Sequence, residues 1–177
     1  KTCLESIEKK TDYQNYEIII VDNDSSDPRH LEYLDGLRYE IIKFPEKYNF
    51  SKINNIAAEQ ANGNYLVFLN SDTEVNTTDW LGAMVEHAQR QEVGIVGAKL
   101  LYPNGMIQHS GVILAMNKHP DHANRFVHYY DHGVYGQVDV IRNYNVVTAA
   151  CMMMRMNVFR EVGGYDEDLA IVFQDTD

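Results

Sequence analysis

The sequence predicts an α/β fold with a mostly parallel central sheet, flanking helices and a small antiparallel extension. Short apolar runs alternate with longer amphipathic segments through the first 100 residues, a pattern that favours right-handed crossovers between parallel strands. The turn signal Pro103-Asn104-Gly105 then separates two further β-rich runs and indicates a hairpin. Apolar residues make up 45% of the 177-residue chain and charged residues 23%, which is typical of a folded domain with a substantial core.

The first elements have clear strand and helix signals. A helix is expected over Thr2–Ile7, and the apolar run Glu17–Val21 predicts a strand covered on both faces. Asp27 in the cap position and Pro28 in the first turn start the next helix. Residues Tyr39–Phe44 then form the second predicted strand. Strand and helix therefore alternate from the start of the chain.

The same alternation continues to residue 100. The predicted elements are a helix capped by Ser51 and ended by Gly63, a strand at Tyr65–Leu69, a helix that starts at Thr78 or Asp79, and a strand at Val93–Leu100. These assignments rest on polar caps placed before apolar residues that recur with a helical period.

The pattern changes after residue 100. The hairpin strands are predicted at Leu100–Tyr102 and Met106–Leu114, whereas residues 115–140 have no clear period and are rich in His and Tyr. A further strand is expected at Val146–Met154, with Met152, Met153 and Met154 as strand core, and a short helix before Gly163-Gly164. We expect a single domain, with residues 1–100 as one half and 101–177 as the other.

Composition excludes several classes of protein. Against 26 Asp and Glu there are only 15 Lys and Arg, and a net charge of −11 argues against a nucleic-acid binder. Only two cysteines occur, Cys3 and Cys151, so neither a disulfide framework nor a zinc ribbon is expected. The apolar runs are also too short to cross a bilayer.

Two polar turns are the strongest candidates for chemistry. Asp22-Asn23-Asp24 follows the first predicted strand, and Asn70-Ser71-Asp72-Thr73 follows the third. Ligands of open α/β sheets bind beyond the carboxyl ends of the strands. No Gly-rich dinucleotide fingerprint or P-loop is present, and carboxylates tolerate a diphosphate only with a hard cation between them. Taken alone, an Asp in the position of Asp72 is more often a turn former or a helix cap than a metal ligand.

Together the polar turns and their flanking blocks resemble the family 2 glycosyltransferases. The resemblance rests on ordered blocks that extend along the chain, which are Tyr16–Asp27, Asn49-Phe50-Ser51 with Asn54-Asn55, Ala61–Asp72, and Val162–Glu167 followed by Gln174–Asp177. Within the family, Asn70–Thr73 with Tyr102–Gly105 and Ile107–Gly111 is most like the rhamnosyltransferase-like enzymes of surface-polysaccharide synthesis. The resemblance implies the GT-A nucleotide-diphospho-sugar transferase fold.

The resemblance also implies roles for individual residues. Asp22 and Asn23 fall where the family contacts the base and ribose of the nucleotide, and Asn54 and Ser71 are counted with them. Asp72 falls on the last carboxylate of the Asp-x-Asp motif, which holds Mn²⁺ or Mg²⁺ on the diphosphate. Asn70 replaces the first carboxylate of that motif and is expected to bond the nucleotide. Asp175 falls on the catalytic base.

The implied activity is the inverting, metal-dependent transfer of a sugar from a UDP- or dTDP-linked donor. The expected acceptor is a glycan or a lipid-linked saccharide, in bacterial surface-polysaccharide synthesis. The resemblance makes residues 1–100 the nucleotide-binding half and 101–177 the acceptor-side half. A cytoplasmic location is expected, with the inner membrane face and peripheral membrane association of the full-length parent as the family-level option.

Two other functions fit parts of the pattern. A sugar nucleotidyltransferase shares the sheet and the metal carboxylate, although no Gly-rich basic loop is present. A non-catalytic nucleotide-sugar-binding module would account for Asn70.

For His109, a place facing the donor sugar and a structural, hydrogen-bonded role are both open.

Both ends of the sequence are expected to be cut from a longer protein. The chain opens inside a predicted helix and stops at Asp177 with no closing element. The resemblance places the family's first strand, normally in mid-sheet, before Lys1. We therefore expect a GT-A fold truncated at both ends, with an exposed strand edge.

Overall fold

A computed structural model describes residues 1–114 and 120–171. Its helices are α1 (Thr2–Lys10), α2 (Pro28–Asp35), α3 (Phe50–Gln60), α4 (Trp80–Ala88) and α5 (Met156–Val162). Its strands are β1 (Ile19–Asp22), β2 (Glu40–Lys43), β3 (Tyr65–Leu69), β4 (Ile95–Gly97), β5 (Leu100–Leu101), β6 (Ile107–His109), β7 (Val112–Ile113), β8 (Asp121–His122) and β9 (Cys151–Arg155). A 3₁₀ turn covers Val134–Gly136.

The central three-stranded sheet is antiparallel rather than mostly parallel. Its strand order is β3-β9-β4, and β9 runs antiparallel to both neighbours. β9 carries the apolar run Met152–Met154, which is buried on both faces, so this late strand takes the central position. The predicted start at Val146 is wrong, because Val146 instead pairs with Val112 of β7.

Helices cover both faces of this central sheet. On one face, α3 and α5 pack on Leu66 and Phe68 of β3 and on Met152 of β9. On the other face, α4 packs on Cys151 and Met153. The core is therefore a three-layer α/β/α arrangement, as predicted, and burial raises the pKa of the Cys151 thiol to about 12.

The first two strands form a separate parallel pair. Ile19 lies opposite Glu40 and Asp22 lies opposite Lys43. The strand predicted from Glu17 begins two residues later, because the Glu17 carboxylate accepts hydrogen bonds from the backbone and side-chain N–H groups of Asn62. Apart from Asp22, the residues of this pair are only half-buried or exposed, so the prediction of a strand covered on both faces is wrong.

The helix starts agree with the predicted positions with one exception. Asp27 caps α2 by accepting a hydrogen bond from the Arg29 backbone N–H. The cap of α3 is Asn49 rather than Ser51, and its side chain accepts from the Lys52 backbone N–H at 2.9 Å. Ser51 lies inside the helix, fully buried, where its hydroxyl donates to the Leu169 carbonyl.

The predicted hairpin is present but its strands are shorter. β5 and β6 pair antiparallel across the Pro103–Gly105 turn, where Gly105 has a φ of 80° that favours glycine. The run predicted as one strand at Val93–Leu100 is split, because β4 pairs with β9 while β5 pairs with β6. β7 and β8 form a second small antiparallel pair.

A gap separates the parallel pair from the central sheet. In the described part of the chain, β1 and β3 are not hydrogen-bonded to each other, and each keeps one unpaired edge. Both strands line the same cavity of about 1390 Å³. The exposed strand edge expected from the sequence is therefore present.

Asp175 and the rest of the predicted Gln174–Asp177 block lie outside the described residues, as does His119. No helix over residues 1–114 and 120–171 combines the length and the apolarity that crossing a membrane needs.

Candidate functional site

The predicted nucleotide-binding residues come together around one cavity. The five that line it are Asp22, Asn23, Asn54, Asn70 and Ser71. Asp22 ends β1, and Asn70 and Ser71 follow β3, so the carboxyl ends of two strands contribute. This is the edge at which open α/β sheets bind their ligands. Asp72, the predicted metal ligand, is the next residue of the second turn.

Asp22 is the most tightly held of these side chains. Its carboxylate is 3% exposed and accepts a hydrogen bond from the Lys43 ammonium at 2.7 Å. The other oxygen accepts from the Ser25 backbone N–H at 3.2 Å. Hydrogen bonds from Lys43 and Ser25 lower the pKa of the Asp22 carboxyl, so it stays ionised at neutral pH.

The sequence analysis did not identify Lys43 as part of this turn. Lys43 lies opposite Asp22 in the parallel register, and its neighbour Phe44 donates its backbone N–H to the Asp22 carbonyl. The predicted strand at Tyr39–Phe44 already placed Lys43 near a strand end. If the carboxyl ends of the two predicted strands are placed side by side, Asp22 comes next to Lys43. This pairing of strand ends could have indicated the ion pair.

Asn23 fixes the path of the chain beyond β1. Its side-chain amide donates to the carbonyls of Phe44 at 2.9 Å and Glu46 at 2.8 Å. The side-chain carbonyl of Asn23 is the part of the amide that these two bonds leave for a ligand. The first turn is thus a rigid junction between the ends of β1 and β2.

The second turn is held by its backbone instead. The Asn70 N–H donates to the Ala150 carbonyl at 3.0 Å, and the Asn70 carbonyl accepts from the Thr73 hydroxyl at 2.7 Å. Within the described residues, no hydrogen bond involves the side chains of Asn70, Ser71 or Asp72, and the latter two are exposed. These polar side chains are therefore accessible to a ligand.

The chemistry of the second turn fits a hard divalent cation. Within residues 1–114 and 120–171, no three His, Cys, Asp or Glu side chains come together as a metal site. Asp72 would thus be a single carboxylate ligand, next to the amide and hydroxyl oxygens of Asn70 and Ser71. Mg²⁺ and similar ions are commonly held by one or two carboxylates together with substrate phosphates and water.

Asn54 and Lys52 both lie on α3, and Asn54 lines the cavity. The Asn54 side-chain amide donates to the Phe50 carbonyl of the preceding helical turn. Lys52 forms a short ion pair with Glu46 at 2.6 Å, and this contact raises the pKa of the Lys52 ammonium. Lys52 thereby ties α3 to the segment that follows β2.

His109 has the structural role that the sequence left open. It is 1% exposed, and its Nε2 accepts the Thr148 backbone N–H at 3.3 Å. Its Nδ1 therefore carries the proton and donates to Nδ1 of His122 at 2.8 Å. Burial, followed by the neighbouring His122, lowers the pKa of His109 to about 4. The 13-residue spacing gave no sign of this pair.

Comparison with known proteins identifies the family. The family model described as Glycosyl transferase family 2 matches residues 1–163. An uncharacterized protein of Sinorhizobium fredii, y4gI, is 37% identical over the whole of this chain and 20% of its own length. The O-antigen biosynthesis protein RfbC of Myxococcus xanthus is 36% identical over the whole chain and 14% of its own length. The chain thus spans a fifth or less of these curated relatives.

Solved structures identify the fold. GalNAc-T7 in complex with UDP, GalNAc and Mn²⁺ superposes with a TM-score of 0.68 at 16% identity, over 96% of this chain and 35% of that one. A mannosyltransferase from Pyrobaculum calidifontis in complex with GDP-Man and Mn²⁺ superposes with a TM-score of 0.62 at 17% identity, over 93% of this chain and 43% of that one. The predicted GT-A fold is confirmed, and the chain belongs to glycosyl transferase family 2.

Proposed function

We propose that this chain is the glycosyltransferase domain of an inverting, divalent-metal-dependent enzyme. The observation that carries the proposal is the convergence of two polar turns, at the ends of β1 and β3, on one cavity. The proposed donor is a UDP- or dTDP-sugar and the acceptor a glycan or lipid-linked saccharide. The similarity to an O-antigen biosynthesis protein supports bacterial surface polysaccharide as the product.

Each turn has its own proposed task. Asp22 and Asn23 contact the base and ribose from the fixed first turn, while Asn70 and Ser71 contact the nucleotide from the second. Asp72 would hold Mn²⁺ or Mg²⁺, which would supply charge stabilisation to the diphosphate leaving group. The Mn²⁺ in two structural neighbours supports this assignment.

Asp175 is the proposed general base. A carboxylate on the face of the sugar opposite the diphosphate accepts the proton of the acceptor hydroxyl as that oxygen attacks the anomeric carbon. The C–O bond to the diphosphate breaks as the new glycosidic bond forms, so the configuration inverts. Asp175 lies outside the described residues, and this role rests on the Gln174–Asp177 motif.

Titration calorimetry with UDP and dTDP, with and without Mn²⁺, tests the donor site. Wild type is expected to bind at least one nucleotide more tightly with Mn²⁺, and Asp72→Ala is expected to weaken that binding by about 10- to 100-fold. Asp35→Ala removes an exposed carboxylate away from the cavity and is the matched control. Equal Mn²⁺ dependence in wild type and Asp72→Ala would contradict the metal assignment.

Asp175→Asn separates a catalyst from a binding module. In the full-length protein, this substitution is expected to lower transfer by about 10²- to 10⁴-fold, the usual contribution of a general base. Nucleotide binding by calorimetry should persist, because Asp175 is not proposed to contact the nucleotide. Full transfer activity in the variant would favour the non-catalytic alternative.

A further inference from the structure

We propose that an exposed aromatic surface, formed by Tyr102, Phe126, His128, Tyr129 and Tyr130, binds the acceptor saccharide. Its role as an acceptor site rests on the proposed function, whereas saccharide binding by these rings can be tested without it. The surface lies in the half of the chain that the sequence analysis assigned to the acceptor.

The hairpin between β5 and β6 is the frame of this surface. The segment 126–129 pairs with it through hydrogen bonds from the Ile107 N–H to the Val127 carbonyl at 2.8 Å and from the Tyr129 N–H to the Gly105 carbonyl at 3.0 Å. A side chain at Gly105 would meet the rings of His128 and Tyr129 at 3.1 and 3.3 Å. The rings therefore pack directly on the turn and are held by backbone.

The rings form two adjoining groups. Tyr102 and Phe126 stack with centroids 5.7 Å apart and planes 10° apart. His128 and Tyr130 stack with centroids 5.0 Å apart and planes 20° apart, and Tyr129 contacts both of them. The Tyr102 carbonyl accepts a hydrogen bond from the Gly105 N–H at 2.9 Å. The Tyr102–Phe126 pair therefore lies beside the turn on which His128 and Tyr129 pack.

Apart from Tyr102, which is half-buried, the side chains of this surface are exposed to solvent. Phe126 is 60% exposed and Tyr130 is 70% exposed. Phe126 also has a φ of 67°, a left-handed conformation that is strained for a bulky residue. Contiguous exposed apolar surface and local strain are both features of binding sites.

The chemistry of the surface favours a neutral saccharide. Residues 126–130 contain no Lys, Arg, Asp or Glu. The neighbouring Arg125 guanidinium is occupied, because it lies 4.8 Å from the Phe126 ring centroid and donates to the Tyr102 hydroxyl at 3.1 Å. The C–H faces of a sugar ring are apolar and weakly positive, which suits the negative face of an aromatic ring. Its hydroxyls can bond the Tyr and His edges.

The aromatic surface is also linked to the candidate donor site through β6. β6 starts beside the aromatic surface at Ile107 and ends at His109, which accepts the Thr148 N–H. Two residues after Thr148, the Ala150 carbonyl accepts a hydrogen bond from the backbone N–H of Asn70 in the second turn. The three residues of β6 span about 10 Å. β6 thus connects the frame of the aromatic surface to the segment that holds the second turn.

Saturation-transfer NMR and titration with neutral hexasaccharides of rhamnose, mannose and glucose test the proposal. At least one hexasaccharide is expected to bind wild type, and Tyr130→Ala should weaken that binding about fivefold, the size of one aromatic contact. Phe126→Leu should weaken it similarly, since it keeps an apolar side chain but removes the ring. Tyr135→Ala, which removes a fully exposed tyrosine outside the surface, is the matched control and should change affinity less than twofold.

Other outcomes would overturn the proposal. It fails if no hexasaccharide binds, if Tyr135→Ala matches Tyr130→Ala, or if Phe126→Leu keeps full affinity. Binding to phosphatidylethanolamine and phosphatidylglycerol vesicles in place of the hexasaccharides would make the surface a membrane contact and overturn it as well. Nucleotide titration of the same variants should match wild type. Absence of saccharide binding by the wild type, with nucleotide binding intact, therefore rejects the aromatic surface, whereas absence of nucleotide binding by the wild type rejects the donor site.

Discussion

The two polar turns around the cavity follow strands of similar composition but hold their side chains in opposite ways. In the first turn, the side chains of Asp22 and Asn23 are bonded to Lys43, Ser25, Phe44 and Glu46. In the second, the backbone of Asn70 carries the bonds, and Asp72 is exposed. The comparison shows that one turn is fixed by its own side chains, whereas the side chains of Asn70, Ser71 and Asp72 in the other have no hydrogen bond to the described residues.

The largest expected effect on stability comes from acid, which acts through His109 before it reaches Asp22 of the first turn. The pKa of His109 is lowered from 6.5 to about 4 in the folded state, so the unfolded chain binds more protons between these values. The stability that neutral, buried His109 contributes is fully present above pH 6.5. It is lost as the pH falls toward 4, which lowers the free energy of unfolding by up to about 3 kcal/mol. Urea unfolding at pH 7, 5.5 and 4.5 measures this.

Matched variants isolate that contribution. His109→Gln should reduce the loss of stability in this pH window, and His132→Gln, at an exposed histidine, should retain it. The lowered pKa of Asp22 acts in a separate pH range. The stability contributed by the ionised Asp22 carboxylate is present above pH 3.8 and is lost only as the pH falls further. An unchanged pH profile in His109→Gln would argue against the assignment.

Removing the charge of the first turn should cost stability. Asp22→Asn removes a charge-assisted hydrogen bond to Lys43, and we expect the free energy of unfolding to fall by about 1–2 kcal/mol. Asp72→Asn, at an exposed carboxylate, should change it by less than about 0.5 kcal/mol. Equal losses from the two variants in urea unfolding would remove the distinction between the turns.

The smallest expected effect concerns the backbone of the second turn. Thr73→Val removes the hydroxyl that donates to the Asn70 carbonyl, which should lower the free energy of unfolding by about 0.5–1 kcal/mol. Thr73→Ser keeps the hydroxyl and serves as the control in the same urea measurement. A loss in Ser as large as that in Val would mean that the methyl group, rather than the hydroxyl, stabilises the turn.

Much of the fold could be predicted because its signals are local. Asp27-Pro28 starts α2, and the apolar run Tyr65–Leu69 is β3, as predicted. The position of β9 between β3 and β4 could not be predicted, since it depends on pairing between residues far apart in the chain. Ser51 misled the helix assignment because a buried hydroxyl bonded to Leu169 has the same sequence signature as a cap.

The candidate site was predictable to the same extent. Asp22, Asn23, Asn70 and Ser71 could be placed at one cavity because strand ends meet at one sheet edge. The roles of those residues stay predictions. The bond of Asp22 to Lys43 depends on the register between two strands, and the bond of His109 to His122 depends on a segment that has no periodic hydrophobic pattern. Neither bond has a signal in the sequence around it.

Because of the gap between β1 and β3, the β1–β2 pair is expected to be less stable than the central sheet. β1 and β2 form their own two-stranded sheet, and none of the buried core clusters of the described residues includes them. Such a unit can open by local unfolding while the buried β9 sheet stays closed. A nucleotide that contacts both turns would bind only when this pair is closed. Part of its binding free energy would then appear as slower amide hydrogen exchange in Ile19–Asp22, far more than in Tyr65–Leu69.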